Sequence, residues 1–345
     1  MTDHIENFVA FVCENKSVIF SSPELKNDLF SSKLFEAAKN KFSREGYLYI
    51  TTRIHKYFKA LEVIRQKNNN LYKACVAESE SYENPGLLLE NQLITSFALA
   101  ISAYERYTQS AFSEAESHLK IAITLDEKLE NEGFEILHFH KIQLMHNFSR
   151  IYQKTDHNRC AAILLDLTAL LSNVSDLYFQ EFSIQYKKNR ISTGLTNAMF
   201  TQIVSDLLII YLKEMDNDNM DALSDIMGPF LAVLIDAPQS LLILRGEIIS
   251  FSGITKHLFE VASLHDLENI SSKISEFLSL EDKNLFMFKV FILVLYYHWL
   301  CKYNNDNTDQ LKILLAEVFD NNPHIGLVKL KYLITNKKPS QHHLA

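Results

Sequence analysis

Glycine and proline together supply only 14 of the 345 residues, 8 Gly and 6 Pro. An average chain carries roughly 12% of the two combined. Strand-rich folds place these residues in their turns, and nucleotide-binding α/β folds need glycine where backbone closes on phosphate. A chain so poor in both is predicted to be almost entirely helix, joined by short polar turns. Its hydrophobic fraction of 47% is ample for a core, which excludes disordered and collagen-like states. No G-x-x-x-x-G-K-[ST], G-x-G-x-x-G or G-x-S-x-G occurs. ATP-driven, dinucleotide-dependent and typical serine-hydrolase chemistry therefore lack their main physical device.

Charge narrows the partners. The net charge is -8, and residues 191–320 carry 8 basic against 18 acidic side chains, net -10. A broad acidic surface repels phosphate backbones, so nucleic acid is not expected as a partner. The basic end, with Lys329, Lys331, Lys337 and Lys338, reads as a solvated tail. Cys13, Cys75, Cys160 and Cys301 lie far apart and form no C-x-x-C. They read as reduced, buried thiols of a cytoplasmic protein. The start, MTDHIENFVAFVCENK, has acids where a secretory signal has bases, so no signal is expected. The most apolar run, 285–301, has 17 residues with Lys289 inside it. That is short of the roughly 20 needed to span a bilayer, so it is predicted to be a buried core helix.

Capping residues mark helix starts at Ser22 before Pro23, Ser110 before Ala111, Asp156, Asn219, and Asp306 or Thr308. Breaks are expected at 68–70, 84–86, 131–133, 216–219, Pro238 and 304–307. Gly86 follows the polar stretch 78–84 and is taken as a boundary. This divides the chain into an N-terminal helical region or bundle (1–85), a helical array (86–338) and a tail (339–345). In residues 134–152, one apolar stripe holds Phe134, Leu137, Leu144, Phe148 and Ile151, and a second holds Ile142, Met145 and Tyr152. Two-sided burial is what a stacked array of helix pairs demands, whereas a four-helix bundle needs a single stripe per helix.

Residues 96–129 read SFALAISAYERYTQSAFSEAESHLKIAITLDEKL. This stretch resembles one unit of the tetratricopeptide repeat. Ala103 stands at the small position of the first helix, Phe112 at the aromatic of the turn, and Ala115 and Ala122 at the small positions of the second helix. Leu119 stands at the large packing position, and Leu125-Asp126 closes the unit. Alanine at such crossings lets two helix backbones approach. The chain departs from the family at Glu127, where the family has Pro, and at Leu99, which stands at the leading aromatic position. A second alanine pair, Ala162 and Ala169, lies 47 residues beyond the first, against about 34 in the family. The resemblance implies an all-α array of antiparallel helix pairs, a tetratricopeptide-like α-solenoid. Its first helices would line a concave binding face at Phe97, Ala100, Tyr104 and Tyr107, continued by Asn147 and Lys154. The competing reading has Tyr104 and Tyr107 packed against an adjacent helix.

Two further constellations invite chemistry. Glu135 and His138 form a Glu-x-x-His pair with His146 two turns on, as on the inward faces of di-iron bundles. The ordinary reading makes the histidines partly buried helix residues. The run DNDNMDALSD offers Asp216, Asp218, Asp221 and Asp225. Met220 and Asp221 stand where a calcium loop needs an oxygen ligand and a glycine, so the EF-hand fails. The function expected is that of a protein- or peptide-binding adaptor or regulatory module, not an enzyme, with no cofactor and no membrane span. Two alternatives are an all-α metalloenzyme using Glu135, His138 and His146, and a peptide-responsive signalling regulator whose residues 1–85 act on a partner.

Overall fold

The computed structural model describes residues 3–21, 29–65, 87–172, 176–179, 184–187, 228–233 and 245–321, with Val174, Lys331, Ile334 and separate positions between 195 and 210. These residues are almost all helical, as the scarcity of glycine and proline demands. Ser22, Cys75, Gly86, Asn219, Pro238, the Asp216–Asp225 run, Lys329, Lys337 and Lys338 lie outside them. In chain order the helices are α1 (Asp3–Glu14), α2 (Lys16–Ile19), α3 (Leu29–Lys41), α4 (Arg44–Arg65), α5 (Leu88–Thr108) and α6 (Phe112–Asn131). There follow α7 (Leu137–Thr155), α8 (His157–Leu171), α9 (Arg245–Phe259), α10 (Leu264–Leu278), α11 (Phe286–Lys302) and α12 (Thr308–Asn321).

The chain divides into two compact units. A split unit joins Met1–Leu25 to Phe200–Ala345 and Ser172–Val174, and a mid-chain unit holds Lys26–Leu171 and Ser175–Met199. In the mid-chain unit α4 packs on α5, α5 on α6, α6 on α7 and α7 on α8. Leu34, Ile50, Ile54, Leu93, Phe97 and Phe134 belong to its apolar cluster. Both apolar stripes of residues 134–152 are buried throughout, and α7 packs on both α6 and α8. Ala103, Ala115, Ala122 and Leu119 are buried as well, so small side chains sit where α5 and α6 meet. Of the second alanine pair, Ala169 is buried and Ala162 is exposed.

Among the described residues, three helices end in the same way, and one of the three uses glycine. After α6, Gly133 has φ +91°, its N–H donates to the Glu130 carbonyl at 2.8 Å, and the Phe134 N–H donates to the Leu129 carbonyl at 3.0 Å. That bond pair defines the Schellman cap. Ser110 (φ 62°) closes α5 through Tyr107 and Arg106, and Asn304 (φ 49°) closes α11 through Cys301 and Leu300. Ser110 therefore ends a helix instead of opening one; the expected N-cap role falls to no side chain, since Ala111 precedes α6. Asp156 does cap α8, its Oδ1 accepting from the Arg159 N–H at 3.1 Å. A left-handed backbone at a residue with a Cβ costs about 1 kcal/mol. Ser110→Gly is thus expected to stabilise the mid-chain unit by about that much. Urea unfolding checks it, and a midpoint that stays or falls contradicts the cap's strain.

Among the described residues, one short sheet interrupts the helices. Strand β1 (Leu177–Phe179) pairs antiparallel with β2 (Ile184–Tyr186) in the register Leu177↔Tyr186, Tyr178↔Gln185 and Phe179↔Ile184. Its aromatic and β-branched residues suit a pleated surface, and α8 packs against β1. This pair was not expected from the helical periodicity.

In the split unit, α11 is buried on every side from Phe286 to Tyr297. Around it, Phe251 of α9 lies 4.8 Å edge-on from Phe288 and 5.9 Å from Phe291. Lys289 is buried inside this helix and donates its Nζ hydrogen bond to the Leu280 carbonyl. Burial pushes its ammonium below the ordinary lysine value. Among the described residues, no helix is long and apolar enough to cross a membrane.

Candidate functional site

Helix α6 runs unbroken through Glu127 and Glu130 to Asn131, and its last turns carry both carboxylates to the start of α7. There Lys141, 1% exposed, pairs with both carboxylates, with Glu130 at 2.6 Å and also with Glu127. His138, one turn before Lys141 on the same helix, places Nδ1 at 3.1 Å from Glu130 Oε1 and Nε2 at 3.1 Å from the Lys187 carbonyl, just past β2. Tyr186 of β2 is wholly buried beside them, with the Lys141 ammonium 5.2 Å from its ring centre.

A second arm of this network starts at Asp126, which has no exposed surface. Its Oδ1 accepts from Ser96 Oγ of α5 at 2.6 Å, and its Oδ2 lies 2.7 Å from His140 Nδ1 of α7. The His140 ring stacks on Phe97 at 4.3 Å with 7° between planes, and Phe30 stacks on it at 5.9 Å. Asp126 thus ties α5 to α7, and His138 ties α6 to the end of β2.

The electrostatics follow from this enclosure. Burial drives the Glu130 carboxyl upward, but hydrogen bonds from His138 and Lys141 and their positive charges outweigh it and hold it at about 2. Tyr186 is pushed well above the ordinary phenol value by burial and by the charges of Asp126, Glu127 and Glu130. Glu130 is thus ionised more readily in the folded chain than in the unfolded one. Its contribution is complete above the ordinary carboxyl value of 4.5 and is lost as pH falls toward about 2. Thermal melts of the full chain at pH 6, 4 and 3 are expected to show a falling midpoint, and Glu130→Gln should flatten that fall.

These groups do not have the order of a Ser–His–Asp triad, in which the imidazole stands between the hydroxyl and the carboxylate. Here Asp126 stands in the middle, accepting from Ser96 on one oxygen and facing His140 with the other. The metal constellation also comes apart. Glu135 is exposed in the turn before α7, while His138 gives both ring nitrogens to protein acceptors. His146 is buried further along α7. Among the described residues, no three His, Cys, Asp or Glu side chains are grouped to hold a metal ion.

The positions expected on a binding face are distributed unevenly. Phe97 is 3% exposed and committed to the stack with His140. Ala100, Tyr104 and Tyr107 are half-buried on α5, with Tyr104 and Tyr107 stacked at 6.4 Å and Tyr107 5.9 Å from Phe112. Asn147 is half-buried and accepts from Arg150 at 3.4 Å, and Lys154 is exposed. Tyr104, Tyr107 and Phe112 thus make one partly open aromatic row at the α5–α6 turn.

In the split unit a groove of about 310 Å³ between α9 and α10 is lined by His257, Glu260, Asp266, Asn269, Ile270 and Lys273. Asp266 is engaged there in capping α10, accepting from Ser263 Oγ at 2.7 Å and from the Ala262 N–H at 3.2 Å. Comparison with protein families, curated proteins and solved structures finds no match to this chain.

Proposed function

We propose that the chain is a protein- or peptide-binding helical adaptor, a regulatory module of tetratricopeptide-like build that works in the cytoplasm without cofactor. The observation carrying this reading is the run from α4 to α8, in which each helix packs on the next with buried alanines between α5 and α6. Such arrays leave one row of helix faces open for recognition. The half-buried aromatic row of Tyr104, Tyr107 and Phe112 is the surface best suited to that task. Aromatic side chains offer large contact area at little entropic cost. Asn147 and Lys154 supply polar groups that suit an extended peptide backbone and an acidic side chain.

The test is quantitative capture by the full chain and by the double variant Tyr104→Ala, Tyr107→Ala, with captured proteins identified by mass spectrometry. A partner held by the wild type is expected to be retained about tenfold less by the variant, at an almost unchanged melting temperature. Equal capture by both proteins contradicts the assignment. A collapse of stability places the two tyrosines in the core.

A further inference from the structure

Helix α1 reaches its place in the split unit from far along the chain. Its apolar residues Ile5, Phe8, Val9 and Val12 stand at i, i+3, i+4 and i+7, and none is more than 3% exposed. With that spacing an amphipathic helix anchors itself in the groove of a receptor. Here α10 and α12 receive it, and Tyr296 of α11 lies against Phe8 with 4.5 Å between ring centres. Gln310 of α12 reaches Cys13 at 3.7 Å. Between α2 and α9 the chain passes through the whole mid-chain unit. Effective concentration falls as a tether lengthens, so the covalent link gives α1 little advantage over a helix presented by another molecule.

The charge of α1 is the wrong sign for this surface. It carries Asp3, Glu6 and Glu14 and neither Lys nor Arg. Helix α10 has three acids against Lys273, and α12 has three against Lys312. Like signs on facing elements repel, and opposite signs select a partner. Lys16, just beyond α1, shows the favoured pairing, its ammonium lying 2.7 Å from Glu317 of α12. The fit is incomplete in a second respect. The Tyr296 hydroxyl is buried with no hydrogen-bond partner among the described residues, and the Phe8 ring offers no oxygen or nitrogen to accept from it. A buried donor left unpaired is a standing cost of this arrangement.

We propose that the face of α10, α11 and α12 beneath α1 is a receptor for a basic amphipathic helix of a partner protein, and that α1 is the acidic occupant this helix displaces. The partner helix repeats the apolar spacing of α1 and sets Lys or Arg beside it, as Lys16 is set toward Glu317. This surface belongs to the split unit and is independent of the aromatic row at the α5–α6 turn, so either assignment can fail without the other.

Fluorescence anisotropy with the full chain tests it, using two labelled peptides that span residues 3–21. One has the native sequence, and the other carries Asp3→Lys, Glu6→Lys and Glu14→Lys, which leave the four anchors untouched. At low salt the basic peptide is expected to bind about tenfold more tightly than the native one, the gap narrowing as salt screens the charges. Hydrogen exchange of the complex should show the amides of α1 losing protection about tenfold while those of α11 keep theirs. In the chain itself, Phe8→Ala weakens the resident helix, so the face is open more often and the basic peptide should bind about tenfold more tightly still. Equal affinity of the two peptides overturns the proposal, and so does a scrambled basic peptide that binds as well as the ordered one. Binding that leaves α1 protected, or that Phe8→Ala does not strengthen, places the peptide elsewhere on the acidic surface and overturns it too. Sedimentation that shows the chain dimerising through α1 assigns the face to a second copy and also overturns it. The wild-type measurements decide the matter alone where Phe8→Ala fails to fold.

Discussion

Lys141→Ala is expected to destabilise the mid-chain unit by about 3–5 kcal/mol, the scale for removing one member of a buried ion pair. Lys141 is 1% exposed, and Glu130 relies on it directly. Without the ammonium, Glu130 keeps its negative charge in a buried position beside His138. The side chain of Glu127 is 32% exposed and can turn to water, so most of the loss belongs to Glu130. Urea unfolding followed by circular dichroism measures the effect. The double variant Lys141→Met, Glu130→Leu is expected to recover most of it, because apolar replacement of a whole buried pair is often neutral. A loss below about 1 kcal/mol for Lys141→Ala would mean that water reaches the cluster.

The second large effect belongs to the split unit. Phe291→Ala is expected to cost about 3–5 kcal/mol, from lost apolar burial and the cavity left behind. Phe291 is 1% exposed on α11, and its ring contacts Phe251. Trp299, the one tryptophan in the chain, sits two turns further along the same helix. Its fluorescence therefore reports the unfolding of this unit, and the variant's midpoint should fall by that probe. An unchanged midpoint would show that the α11 core can collapse around the deletion.

How much of this was legible in the sequence depends on the range of each interaction. Helix content followed from two residue types, and the two stripes of α7 are buried as their spacing requires. The 285–301 run is a core helix with its single lysine inside. Ser110 misled because serine usually opens helices, while a chain short of glycine uses Ser110 and Asn304 for left-handed ends. The strand pair was hidden by its three-residue strands, too short for any periodicity. The charge cluster was invisible for a different reason. Glu135 and His138 looked like partners because they are three apart, but Gly133 ends α6 and α7 starts only at Leu137, so Glu135 falls in a turn. The real partners of His138 are eight residues back and forty-nine ahead, and only the folded helix order brings them together. Asp126 likewise bonds to Ser96 thirty residues back and faces His140 fourteen ahead, partners that no local spacing marks.

The split unit has a consequence for how the protein is made. Helix α1 packs on α10 and α12, and Lys16 reaches Glu317 at 2.7 Å across 301 residues of chain. At translation rates of about 5–20 residues per second, α1 waits roughly 15–60 s on the ribosome before those helices exist. Its apolar face, with Ile5, Phe8, Val9 and Val12, has no native cover during that interval. The mid-chain unit, complete once residue 199 has emerged, can fold first. Synthesis therefore leaves the apolar face of α1 in need of a chaperone until its partners emerge.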